Sequence, residues 1–471
     1  VTAAASSPVR AVPATKRDEL VARLNTEYAL ILLGERPAVL REGAGSDGRP
    51  EFRLLSVAGF HEWLRPTYLW ERDDSTGQTR KLQASKIWVD SEKRRQYEGL
   101  VFDPSDTSPA GYYNLWRGFA VEPSSKGSCQ RFLDHIAENV CRGDEYHFSW
   151  VIAWFAAMVQ EPIKKGGTSL VLRGAQGTGK TILGKIFGSL LGPHYALVAD
   201  SRYIVGRFNA HLANCLLLQL DEATWGGDHA AAGKLKDLIT GDYQYIEYKG
   251  KEPVKVKNYV RLLVTGNNNW LVPAGLEERR FAVFDMGDER RQDNVYFGAI
   301  EAEIENGGRA RLLDYLLTFD LESVRGRNQV PPTAALAEQQ VASLAPEQQW
   351  WLDVLRRGAL PGDEEGRGET PTHTLYENYL DRMQRVGVNR KHSETGFGIA
   401  LRRMVPGISR VRRTIVSILA GTDRFWAYAL PPLDVCRNEF GRITGDADRS
   451  DDSPDQSEDG PSNWQPWRTK S

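Results

Sequence analysis

The chain has 471 residues, 41% of them apolar, and its 60 Lys and Arg against 62 Asp and Glu leave a formal net charge of −2. This length calls for several domains. The charge balance excludes a uniformly basic coat, and no apolar run approaches the roughly 18 residues of a membrane-spanning helix. The four cysteines, Cys129, Cys141, Cys215 and Cys436, are far apart and form no C-x-x-C pair. Neither a zinc ribbon nor a disulfide framework is expected, and a reducing cytoplasm fits best.

Residues 1–15 read as a flexible leader without the apolar centre of a signal peptide. Residues 16–116 read as an N-terminal α/β accessory region. A charged helix runs into the strand "YALILLG", "PAVLRE" and "EFRLLSV" follow as strands, Ser85 to Tyr97 reads as helical, and 103–116 is a turn-rich connector. Residues 117–165 are predicted to form a helical collar, of which "FSWVIAWFAAMVQ" is apolar nearly all round and so expected to be buried.

From 166 to 290, compact apolar strands alternate with helices: "TSLVLRG", "YALVAD", "NCLLLQLDE", "VRLLVTGN" and "RFAVFDM". This pattern predicts an α/β layer with a largely parallel sheet. Residues 291–346 are read as a helical lid and a Pro-, Ala- and Gln-rich linker. Residues 347–435 are expected to form a smaller winged-helix-like domain, two helices followed by a β-hairpin. Nine Lys or Arg against one acid between 382 and 413 make Arg390, Lys391, Arg402 and Arg403 its candidate DNA-phosphate contacts. The stretch "GDADRSDDSPDQSEDG" in the acidic tail, 436–471, is expected to be disordered.

The chemistry concentrates in the α/β layer. "RGAQGTGKT" carries Gly174, Ala175, Gln176, Gly177, Thr178, Gly179, Lys180 and Thr181 in the G-x-x-x-x-G-K-[ST] spacing, between a strand and a helix. Backbone N–H groups of such a loop wrap phosphate oxygens, and the helix N-terminus adds its dipole. Lys180 is placed to reach the β- and γ-phosphates of ATP and Thr181 to ligate Mg²⁺. "LLLQLDEATW" ends a strand in Asp221, a second candidate for Mg²⁺, and Glu222, a candidate to polarise water. The next strand ends in Asn267, a neutral amide suited to orienting that water, with Asn268 open as an alternative register. Arg280, or its neighbour Arg279, is an arginine that could neutralise transition-state charge across a subunit boundary. Lys249-Gly250-Lys251 reads as the tip of a β-hairpin suited to phosphate-backbone contact.

In this order and within one stretch, the motifs resemble superfamily 3 helicases, an AAA+-type branch of P-loop NTPases. The likeness is greatest to the helicase domain of phage primase-helicases and primase-polymerases, related to the poxvirus primase-helicase. "GYYNLWRGFAVEP", "LVLRGAQGTGKT", "LKDLITGD" and "VKNYVRLLVTGNNNWLVPAGLEERRFAVFDM" carry it. The resemblance implies an ATP-hydrolysing ring, usually a hexamer, whose Lys249/Lys251 hairpins track along single-stranded DNA, with a separate primase or polymerase as a possible partner. One departure is expected: Asp73-Asp74 falls in the polar turn "WERDDSTG" rather than on a strand, and no primase site is legible before the helicase-like region. Two rivals stay open: a P-loop NTPase or kinase not acting on DNA, and an ATP-binding origin or scaffold protein that uses nucleotide as a switch.

Overall fold

The computed structural model describes residues 15–44, 50–72, 78–199, 209–222, 229–248, 252–268, 270–275, 278–363, 366–387, 391–417 and 421–444. The chain forms two compact units: residues up to Val272 with Arg279–Ala335, and Pro273–Glu278 with Leu336 onward.

The first unit opens with the helix Lys16–Asn25, whose start is closed by a reciprocal cap between Thr15 and Asp18. Strands β1 (Tyr28–Leu33), β2 (Arg36–Ala44) and β3 (Pro50–Ser56) form an antiparallel meander. The short helix Val57–Trp63, the hairpin β4 (Tyr68–Arg72) and β5 (Thr79–Gln83), and the helix Ala84–Val89 follow. Leu20, Val21, Tyr28, Val39, Phe60 and Trp88 fill a core between the helices and the sheet. The helix expected over Ser85–Tyr97 stops at Val89; β6 (Gln96–Tyr97) instead pairs in parallel with β1, giving the order β3-β2-β1-β6. Non-local pairing overrides the local pattern there. The expected connector contains a strand too: β7 (Gly99–Val101) pairs with β8 (Tyr112–Asn114).

The helix Gln130–His135 widens into a π-helical turn at Ile136–Val140. The next helix, Glu145–Gln160, is buried nearly all round. It lies on the central layer: the Trp150 and Phe284 ring centroids are 6.2 Å apart, and Trp154 Nε1 donates to the Thr168 carbonyl at 3.3 Å.

That layer is built from β9 (Ser169–Arg173), β10 (Tyr195–Val198), β11 (Leu217–Asp221), the antiparallel pair β12 (Tyr243–Ile246) and β13 (Val254–Lys257), β14 (Arg261–Gly266) and β15 (Phe281–Asp285). Its five-stranded sheet has the order β10-β11-β14-β9-β15, and every adjacent pair is parallel. β9, β11, β14 and β15 are buried along almost their whole length, as a sheet covered on both faces requires.

In the second unit the helix Pro346–Arg357 is followed by β16 (Glu369–Pro371), the helices Thr372–Arg385 and Glu394–Met404, and the hairpin β17 (Ser409–Ser417) and β18 (Gly421–Ala429). The sheet order is β16-β18-β17. Trp350, Trp351, Leu375, Tyr379, Phe397 and Leu401 make its core. Two expectations are corrected. The Pro-, Ala- and Gln-rich linker expected at the end of 291–346 contains the helix Ala334–Ala342, with Ala335, Leu336 and Gln339 buried; Ala, Leu, Glu and Gln are strong helix formers once an apolar side finds cover. The tail expected from 436 begins as an ordered helix, Leu433–Thr444, which buries Cys436 and Phe440. The rest of that tail and the leader before Thr15 lie outside the described residues.

Candidate functional site

The loop after β9 turns into the helix Lys180–Leu191 through two left-handed glycines, Gly177 at φ 86° and Gly179 at φ 90°. Only glycine takes these angles cheaply. It is also packed from behind: a Cβ on Gly177 would lie 2.9 Å from Gln292 Cγ, and one on Gly179 2.6 Å from Phe297 Cε1. Lys180 is only 8% exposed. Its ammonium donates to the carbonyls of Gly174 at 2.7 Å and Ala175 at 2.6 Å, so the lysine braces the loop it belongs to. Burial lowers its pKa, opposed by the charges of Asp221, Glu222 and Asp288.

The sheet order brings the remaining groups to this loop. β14 lies between β9 and β11, and the C-terminal ends of all three strands face one cleft of about 510 Å³. Lys180, Thr181, Asp221, Glu222 and Asn267 line it together with Gln176, Gly177 and Gly179. The Thr181 hydroxyl is 3.0 Å from Asp221 Oδ2 and 3.2 Å from Oδ1. The Thr265 hydroxyl on β14 donates to the same carboxylate at 2.7 Å. Glu222 sits at φ 55°, a strained angle for a side chain of its size, and its backbone N–H donates to the Thr265 carbonyl at 2.8 Å. The bend turns the chain at the strand end, at the rim of the cleft.

A hydroxyl beside a carboxylate is a hard-oxygen pair of the kind Mg²⁺ takes when water and phosphate oxygens complete its shell. No group of three His, Cys, Asp or Glu side chains fit to hold a metal occurs among the described residues. A cation here would complete its shell with water and substrate oxygens.

Arg279 and Arg280 do not line the cleft. Arg279 is exposed and Arg280 half-buried, just before β15. The Ser169 backbone N–H donates to the Arg280 carbonyl at 2.6 Å, which puts Arg280 at the start of β9. The loop begins at that strand's other end, roughly 13 Å away. Lys249 and Lys251 lie outside the described residues. The stem of their hairpin is described: Tyr243 pairs with Lys257 and Tyr245 with Lys255, so all four side chains share one face. Tyr243 is 49% and Tyr245 63% exposed, and Lys255 Nζ sits 4.3 Å from the Tyr243 ring centroid.

In the second unit, Arg402 and Arg403 are exposed on the helix Glu394–Met404 and Lys391 is exposed just before it; Arg390 lies outside the described residues. Sequence reading missed the hairpin face beside them. Arg412 pairs across from Trp426, Arg410 from Tyr428 and Thr414 from Arg424. Trp426 is 43% exposed with the Arg410 guanidinium 4.7 Å from its ring centroid. Arg413 alternates to the other face, where it is paired with Glu369.

Sequence reading also missed Gln292, Asn294 and Phe297 in the cleft, and the buried Thr265 and His135 that back its residues. Thr265 precedes the Asn run and is the one with a local signal. His135 comes from the helix before the π-helical turn. It is fully buried, Asn139 Nδ2 lies 3.0 Å from its Nδ1, and Nε2 lies against the Gly179 backbone. Burial holds its pKa down at about 4, so the ring is neutral.

A model of a family of unknown function, DUF5906, matches residues 172–280, from β9 to the residue before β15. The chain is 26% identical over 204 residues to the DNA primase-polymerase of Nitratiruptor phage NrS-1; the match covers 41% of this chain and 28% of that protein's length. A solved apo structure of the NrS-1 C-terminal region matches with a TM-score of 0.58 at 18% identity, covering 89% of this chain and 100% of that one. A second, the A form, matches with a TM-score of 0.54 at 18% identity, covering 88% and 98%. The likeness is one of fold, a mixed α/β architecture with a parallel sheet. Among the described residues no helix is long and apolar enough to cross a membrane.

Proposed function

We propose that this chain is an ATP-dependent, ring-forming DNA translocase of the superfamily 3 helicase type, acting in phage or mobile-element DNA replication. One observation carries the ATPase reading: the Thr181 hydroxyl at 3.0 Å from Asp221, across a cleft that Lys180, Glu222 and Asn267 also line. Phosphate binding, a hard-cation pair, a carboxylate and a neutral amide meet at the ends of three parallel strands. The kinship with a phage primase-polymerase supports the replication setting.

The residues divide the work by charge. Backbone N–H groups of Gly177–Thr181 and the helix dipole bind the phosphates. Lys180 exchanges its loop carbonyls for phosphate oxygens, a stronger charge-assisted bond. Thr181 and Asp221 would hold Mg²⁺, which when bound neutralises charge on the phosphate oxygens. Glu222 accepts a proton from the attacking water and Asn267 orients that water without adding charge. The arginines at the far end of the sheet serve only a neighbouring subunit's cleft. This favours a ring in which hydrolysis depends on assembly, with homo-oligomeric, commonly hexameric, closure. The helix–strand–helix–helix–hairpin order of the second unit supports a winged helix, with Arg402, Arg403 and the Arg410/Arg412/Trp426 face toward DNA.

ATP hydrolysis by the full chain, with and without single-stranded DNA and alongside Lys180→Ala, tests this. Hydrolysis that DNA stimulates several-fold and the variant loses is expected. Hydrolysis indifferent to DNA would favour a P-loop NTPase not acting on nucleic acid, and nucleotide binding without turnover the switch protein.

A further inference from the structure

The hairpin β4–β5 in the N-terminal region is a two-stranded sheet on its own. Such a hairpin is marginal in water unless something anchors it. Here the anchored side is well defined. Leu69 pairs with Leu82 and packs toward the Phe60/Trp88 core, and the Arg17 guanidinium donates to both carboxylate oxygens of Glu71, at 2.8 and 2.5 Å. The backbone N–H of Ala84 closes the base on the Thr67 carbonyl at 3.0 Å.

Alternation sends the other residues to the opposite face. Trp70 is 60% exposed and Tyr68 38%. Lys81 stands directly across from Trp70, with its Nζ 3.6 Å from the Tyr68 ring centroid and 5.7 Å from that of Trp70. Arg72 is on this face and exposed. The strands' one described carboxylate, Glu71, is on the anchored side, held by Arg17. The exposed face thus carries two rings and two cations, with Thr79 and Gln83 as its neutral polar members.

We propose that this face is a binding platform for single-stranded DNA. Tyr68 and Trp70 are two residues apart on one strand, about 6.6 Å, which is twice the ~3.4 Å step between stacked bases. The rings therefore take neighbouring bases of a stretched strand, while Lys81 and Arg72 meet its phosphates. An apolar protein surface fits poorly, because covering the rings would strip water from both cations with no carboxylate in return. The same ring-and-cation chemistry recurs on the β12–β13 stem.

The test uses the full chain without nucleotide, so its outcome does not depend on ATP hydrolysis. An oligo-dT strand bearing 5-iodo-deoxyuridine is photo-crosslinked to the protein and the attached peptides are mapped. Attachment at Tyr68 or Trp70 is expected. The double variant Tyr68→Ala/Trp70→Ala should weaken oligo-dT binding at least tenfold, with melting temperature and basal ATP hydrolysis unchanged. Lys81→Ala should flatten the dependence of log affinity on log salt by about 0.7. Attachment confined to other segments, with the double variant binding within twofold of the parent, overturns the proposal.

Discussion

The Thr181 hydroxyl, on the helix that follows β9, lies 3.0 Å from Asp221 at the end of β11, two places from β9 in the sheet. Thr265, on β14 between those two strands, donates to the same carboxylate at 2.7 Å, with its hydroxyl oxygen 3.2 Å from the Leu220 carbonyl. Thr265 is therefore a positioning residue. Thr265→Val should lower kcat for ATP hydrolysis about tenfold, roughly 1.4 kcal/mol, and leave nucleotide affinity near the parent value. Thr265→Ser, which keeps the hydroxyl, should restore most of the loss. Equal effects of both variants would mean that packing of the methyl group matters rather than the bond to Asp221.

Glu222 and Asp221 are adjacent but predicted to act differently. Glu222→Gln keeps the shape and removes the proton acceptor, so nucleotide binding should persist while turnover falls by about 10²–10⁴. Asp221→Asn should instead raise the Mg²⁺ concentration needed for half-maximal activity. Equilibrium binding of a fluorescent ATP analogue, beside a magnesium titration of hydrolysis, separates the two.

Gly184 marks the closest approach of the loop's helix to the sheet. A Cβ there would overlap the Gln219 amide and lie 2.7 Å from Leu263 Cδ2. Gln219 cannot yield freely, since it is fully buried and accepts from Tyr195 Oη at 2.5 Å. Gly184→Ala should cost about 1–3 kcal/mol, read as a lower urea midpoint. Gly233→Ala, in a helix where the added methyl meets open space, should be neutral or slightly stabilising.

Two buried imidazoles predict a pH dependence of stability. His194 stacks on Trp116 at 4.6 Å, accepts the Arg117 N–H at Nε2 and donates from Nδ1 to the Asn214 carbonyl. That arrangement needs the neutral ring, and burial holds the pKa of both His194 and His135 down at about 4. In the unfolded chain each titrates near 6.5. Above that value neither form is protonated and stability is flat. As pH falls from 6.5 toward 4 the unfolded state takes up protons first, so stability drops, by up to about 3 kcal/mol per ring. Thermal melts from pH 8 to 4 should show the fall, and His194→Gln should reduce it. A flat profile over that window would mean the rings charge without unfolding.

Much of the site was legible in one dimension. The spacing of Gly174, Gly179, Lys180 and Thr181 marked a strand, a glycine turn and a helix, because these follow one another locally. Asp221, Glu222 and Asn267 stood at the ends of apolar runs, where any strand of a parallel sheet presents its residues to solvent. The ring-and-cation faces were not legible, because they depend on which residue of one strand stands across from which residue of the next. The hairpin reading went to the Lys249-Gly250-Lys251 tip, while Tyr245 and Lys255 on its stem needed the register.

The sequence by itself determined the local units: the loop that turns on glycine, the apolar strands, and the buried helix Glu145–Gln160. Only the tertiary structure decided that β14 runs between β9 and β11, bringing Thr265 onto Asp221, and that His135 backs onto Gly179. It also decided that Gln96–Tyr97 leaves the helical pattern to join β1. Local propensity sets what a segment can form within a few residues. Which strand ends meet is set by burying both faces of a shared sheet, a constraint spread over the whole unit.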